Sequence, residues 1–80
     1  MTNPTAIVAE DEAPQRKELV RMLAQLWPEL KIVAQCDSGA SALEEMQRLA
    51  PNVAFLDIQM PQVSGMDVAR AANGRTNIVF

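Results

Sequence analysis

Hydrophobic residues follow two patterns along this chain: short uninterrupted runs, and longer stretches in which they recur every three or four positions. Thr5-Ala6-Ile7-Val8-Ala9 is a run of the first kind and exits into Glu10-Asp11-Glu12, as expected of a strand buried on both faces with a polar end. Pro14 suits a first helical turn, and Leu19, Met22, Leu23 and Leu26 then recur at helical spacing until Pro28 stops the pattern. Lys31 to Cys36 reads as a second strand. Asp37-Ser38-Gly39 supplies turn and cap chemistry before Ala42, Leu43, Met46 and Leu49 restart the helical period, which ends at Pro51. Val53 to Leu56 is a third strand and Asn77 to Phe80 begins a fourth. Between them a third helix is expected at about Met66 to Ala72, stopped by Asn73-Gly74.

Strands alternating with helices at this interval predict an α/β domain spanning residues 1–80, with a parallel sheet, right-handed crossovers and helices on both faces. Helical periodicity assigns Met22, Leu23, Leu26, Met46 and Leu49 to the core, and Trp27 beside Pro28 to a partly buried helix end. Arg16-Lys17-Glu18 reads as a solvated helix face.

Composition narrows the classes. A chain of 80 residues makes one small domain that buries only about 60% of its unfolded surface. Apolar residues make up 49% and Lys and Arg number 7 against 10 Asp and Glu, a balance of ordinary globular type that disfavours disorder and binding of nucleic acid through a basic surface. Cys36 is the single cysteine, so no internal disulfide forms, and its place at the end of an apolar run predicts a buried structural thiol. With no basic-apolar leader and no apolar run of membrane-spanning length, the expected location is the cytoplasm, away from membranes.

The candidate chemistry lies at strand ends. Asp57 closes the run Val53-Ala54-Phe55-Leu56 and is followed by a loop containing Pro61 and Gly65, which lifts its carboxylate to the rim of the sheet. In open parallel sheets, ligands collect at the carboxyl ends of the strands where the strand order reverses. If the first and third strands are neighbours, Glu10, Asp11 and Asp57 converge there. Two unit charges about 4 Å apart repel by roughly 1 kcal/mol in water and about 4 kcal/mol at an effective dielectric near 20, so clustered carboxylates call for a proton or a cation. Oxygen-only ligands in a chain without histidine favour magnesium or manganese. The competing reading of the triplet is structural: an acid between a strand and a helix caps the helix and suits its positive end, a role open to Asp11 and Glu12.

Val8-Ala9-Glu10-Asp11-Glu12, together with Val53 to Pro61 and Ser64-Gly65, resembles the receiver domain of bacterial two-component response regulators. Leu26-Trp27-Pro28-Glu29-Leu30 and the Ile32-Val33-Ala34 strand look most like receivers that precede a LytTR-type DNA-binding domain. The resemblance implies a flavodoxin-like doubly wound sheet of order 2-1-3-4. It makes Asp57 the phosphoacceptor, taking a phosphoryl group from a sensor histidine kinase. It also makes Asp11 and Asp57 direct ligands of Mg2+, with the backbone carbonyl of Gln59 as a further ligand and Glu10 acting through a water. Glu10 stands where many receivers have aspartate, a tolerated lengthening.

Receivers of this family have five strands and five helices, with a Ser or Thr ending the fourth strand and a Lys ending the fifth. The resemblance therefore implies a chain lacking the fifth strand and the last two helices, in which phosphorylation and switching are impaired while Mg2+ binding survives. Lys17, Lys31 and Arg75 stand at no matching position. An exposed fourth-strand edge predicts a homodimer. The alternatives are a degenerate receiver-fold module that signals by dimerisation without phosphorylation, and a small metal-dependent phosphatase; the leading reading is not an enzyme.

Overall fold

A computed structural model describes residues 3–57, 67, 70 and 74–79. β1 (Thr5–Ala9), α1 (Ala13–Leu26), β2 (Lys31–Cys36), α2 (Gly39–Leu49), β3 (Val53–Leu56) and β4 (Asn77–Val79) follow in chain order. The strands form one four-stranded sheet of order β2-β1-β3-β4, and every pairing is parallel. The parallel α/β sheet is the one expected from the alternation of apolar runs and helical periods, and its order is the doubly wound, flavodoxin-like one that the family resemblance implies. The expected third helix lies outside the described residues apart from Asp67 and Arg70, both helical, and Gln59 lies outside them altogether.

β1 is the centre of the assembly. It pairs with β2 on one side and β3 on the other, and Ala6, Ile7, Val8 and Ala9 are at most 1% exposed. Successive side chains of a strand point to opposite faces. Ile7 and Ala9 accordingly join Cys36, Ala54, Leu56 and the α2 residues Ala42 and Met46 in one cluster, while Ala6 joins Leu30 and Val53, with Leu23 of α1 packed against them, in another. The two helices therefore cover opposite faces. A register shift between Ala6 and Ile7 in the β1–β2 ladder skips Val33.

Local chemistry sets the helix ends. Pro14 occupies the first turn of α1, where a missing N–H costs nothing. Ser38 caps α2, its hydroxyl accepting from the Ser41 N–H at 3.1 Å. Ala50 ends α2 in the left-handed region (φ 44°), directly before Pro51.

Asn52 pins the end of the sheet opposite the acids. Its side-chain oxygen accepts from the Thr5 N–H (2.9 Å) and from the Thr5 hydroxyl (3.3 Å), and its own N–H donates to the Thr5 carbonyl (3.0 Å). Its carbonyl accepts from the Asn77 N–H at 2.9 Å, and the buried Thr76 hydroxyl donates to the Pro51 carbonyl at 2.8 Å. The starts of β1, β3 and β4 are thereby held level.

Two expectations about α1 need correction. Met22 and Leu26, assigned to the core by periodicity, are 42% and 77% exposed. The inward face of α1 is Arg16, Leu19, Val20 and Leu23, at i, i+3, i+4 and i+7; Met22 lies to one side of that arc, and Leu26, close to the Leu19 stripe, is the last residue of the helix. Arg16 is likewise half-buried on the inward face, whereas its neighbours Lys17 and Glu18 are solvated as expected. Met46 is buried, Leu23 and Leu49 are half-buried, and Trp27 at the helix end is 38% exposed.

Candidate functional site

The two ladders that flank β1 each run one step past the strands and so place the acids. Glu10 donates its N–H to the Cys36 carbonyl at 3.0 Å, continuing β1–β2, and Asp57 donates its N–H to the Ala9 carbonyl at 3.0 Å, continuing β1–β3. Since Ala9 pairs with Leu56, Glu10 and Asp57 emerge side by side at the carboxyl end of the sheet. One carboxylate oxygen from each of Glu10, Asp11 and Asp57 lies within 4.8 Å of the others. Glu10 and Asp57 are half-buried and Asp11 is exposed, so the cluster is anchored on the sheet and open on one side.

Its electrostatics are those of crowded anions. Burial pushes the Glu10 carboxyl above its ordinary 4.5; a hydrogen bond from the Glu12 N–H opposes this, while a hydrogen bond with Asp11 and the charges of Asp57 and Asp11 reinforce it. The Glu12 N–H lies 3.2 Å from a Glu10 carboxylate oxygen. Capping does not account for Glu12: it stands at the N-cap of α1 with extended backbone, yet its side chain makes no capping hydrogen bond. The donor set is all oxygen and anionic, which fits a hard divalent cation of the magnesium class.

Arg16 belongs to the site, although the pattern of charges alone placed it on a solvated face. Its Nη1 donates to the Glu10 backbone carbonyl at 2.8 Å. The available signal was its spacing, because an arginine sharing a helical face with Leu19, Val20 and Leu23 is directed at the sheet rather than at water. Cys36, at the adjoining end of β2, is buried, and burial pushes its thiol up from 9.0 to about 11, as expected of a structural cysteine.

A parallel sheet of order β2-β1-β3-β4, with acids gathered where β1 and β3 end, defines a class of signalling domain: the response-regulator receivers. The chain belongs to this family, residues 6–79 matching the response regulator receiver domain. A response regulatory protein of Vibrio cholerae is 47% identical over 66 residues, 82% of this chain and 25% of the relative. The transcriptional regulatory protein BtsR of Salmonella typhi is 36% identical over 62 residues, 78% of this chain and 26% of the relative. The chain thus spans about a quarter of the length of these relatives. The receiver domain of the response regulator NarL from Mycobacterium tuberculosis superposes with a TM-score of 0.80 at 31% identity, covering 98% of this chain and 64% of that one. CheY6 of R. sphaeroides, solved in complex with the P1 domain of CheA3, is the subject of another match, with a TM-score of 0.79 at 28% identity, covering 98% and 62%. No helix among the described residues is long and apolar enough to cross a membrane.

Proposed function

We propose that the chain is a phosphoacceptor receiver module of two-component signalling, with Asp57 as the residue that takes the phosphoryl group from a sensor histidine kinase. The observation that carries this reading is the convergence of Glu10, Asp11 and Asp57, from two adjacent strand ends, to within 4.8 Å in a chain of the receiver family. A carboxylate oxygen of Asp57 attacks phosphorus; the new O–P bond forms as the N–P bond of a phosphohistidine breaks, and the departing imidazole keeps the electron pair and takes up a proton. β3 aims the nucleophile, and the β1 exit supplies the acids beside it. Asp11 and Asp57 would hold Mg2+ directly and Glu10 through a water, with the Gln59 carbonyl as the further ligand implied by the family pattern. Bound there, the ion supplies positive charge to the phosphoryl oxygens.

Incubation with acetyl phosphate and Mg2+ followed by intact-mass measurement tests the assignment. One phosphoryl addition, lost in Asp57→Ala, is the expected result; no addition to the wild type under conditions that modify an intact receiver, or an addition that survives the substitution, refutes it.

The relatives named as transcriptional regulators support a cytoplasmic role in gene control, and the Leu26-Trp27-Pro28-Glu29-Leu30 segment supports a LytTR-type output domain in the longer protein. A coding region that continues past Phe80 into a LytTR domain is the expected finding, and a different output domain would exclude that type. A second reading concerns assembly. Among the described residues β4 is the outermost strand beside β3 and its Val79 is 44% exposed, which favours edge-to-edge pairing of two copies of this 80-residue chain. A stable monomer at high micromolar concentration in sedimentation removes it.

A further inference from the structure

The turn that carries Glu10 and Asp11 is tied from several directions. Glu10 N–H reaches back to Cys36 on β2, and Glu12 N–H closes onto the Glu10 side chain. Arg16, one turn into α1, makes two bonds to it: its backbone N–H makes the helix's own first bond, to the Glu12 carbonyl at 2.9 Å, as any residue there would, and its Nη1 donates to the Glu10 carbonyl at 2.8 Å. The second bond spans six positions of chain and is half-buried, so it joins the helix to the strand exit rather than to its own turn.

We propose that Arg16 is a positioning residue for the cation site, a tether that holds the β1 exit so that the Glu10 and Asp11 carboxylates face Asp57. The proposal rests on the reading that these acids bind a divalent cation. The competing role for an arginine beside three acids is that of a counter-ion. The geometry speaks for the tether: the guanidinium is spent on a backbone oxygen, which has the same charge whatever the carboxyl does.

The two roles predict opposite signs. Removing a counter-ion from an anionic site tightens cation binding, whereas removing a tether weakens it. Mn2+ binding, followed by electron paramagnetic resonance, is therefore compared in the wild type, Arg16→Met and, as a control, Arg21→Met, whose guanidinium pairs with Glu18 on the exposed side of α1. The expected result is an affinity roughly tenfold weaker in Arg16→Met, at low and at high salt, with Arg21→Met unchanged. Amide exchange measured in EDTA should also quicken at Asp11 and Glu12 relative to Leu23. Unchanged or tighter Mn2+ binding in a folded Arg16→Met protein overturns the proposal. Should that variant fail to fold by circular dichroism, Arg16→Lys, which keeps the charge and most of the stem, replaces it: weaker binding and faster exchange support the tether, and wild-type behaviour in both overturns it. A wild type that binds no Mn2+ refutes the cation reading instead, and amide exchange alone then decides the tether.

Discussion

Single residues set the behaviour of this domain with pH. The Glu10 carboxyl is raised above 4.5 in the folded state, so its contribution to stability is fully present below that pH and is lost as the pH rises and the acids crowd together. In EDTA, Glu10→Gln should therefore melt at a higher temperature than the wild type at neutral pH, with the difference closing below pH 4.5. Added Mg2+ should raise the wild-type midpoint by mass action and raise that of Glu10→Gln less; the reverse order in a thermal melt would show that Glu10 takes no part in binding. Cys36 behaves as the other raised acid. Its stabilising contribution is intact below 9.0 and is lost as the pH approaches about 11, where alkylation by iodoacetamide should begin to outpace the very slow reaction expected at neutral pH. The acids and the thiol were legible in the chain because each ends an apolar run. Arg16 was not, because a run of charges looks the same whether one member turns inward or all face water.

At the scale of elements, the strand bounds emerge where the apolar runs lie, and both helices begin at their sequence signals: Pro14 in the first turn of α1 and Ser38 before α2. Removing the Ser38 cap by Ser38→Ala should lower stability by about 1 kcal/mol in urea denaturation. Ala50 works in the opposite direction. Its φ of 44° is strained for a side chain bearing Cβ, and the exposed position accepts glycine, so Ala50→Gly should stabilise by roughly 0.5–1 kcal/mol despite the added freedom of the unfolded chain. The error over Met22 and Leu26 belongs to this scale as well. A period of three or four reports which arc of a helix is apolar; how far that arc is covered depends on what packs against it, and cover here excludes Met22 to one side and Leu26 at the helix's last position.

For the whole molecule, the site depends on register, and register depends on pairings that leave no local trace. Asn52 meets Thr5 across 47 positions, a match invisible to any window-based reading, yet it levels the starts of β1 and β3 and so decides that Glu10 and Asp57 finish together. Asn52→Ala removes an exposed acceptor of the Thr5 N–H, which water then solvates, and should lower stability by about 0.5–1.5 kcal/mol by chemical denaturation, while also loosening Mn2+ binding at the far end. β1, enclosed by a neighbour on each side and by a helix on each face, has no route to partial release. Amides at Ile7 and Val8 should then exchange with solvent only when the entire domain unfolds. It follows that anything seated at the tip of this strand reports to the folding equilibrium of the complete unit, so that occupancy there can be followed as a change in global melting.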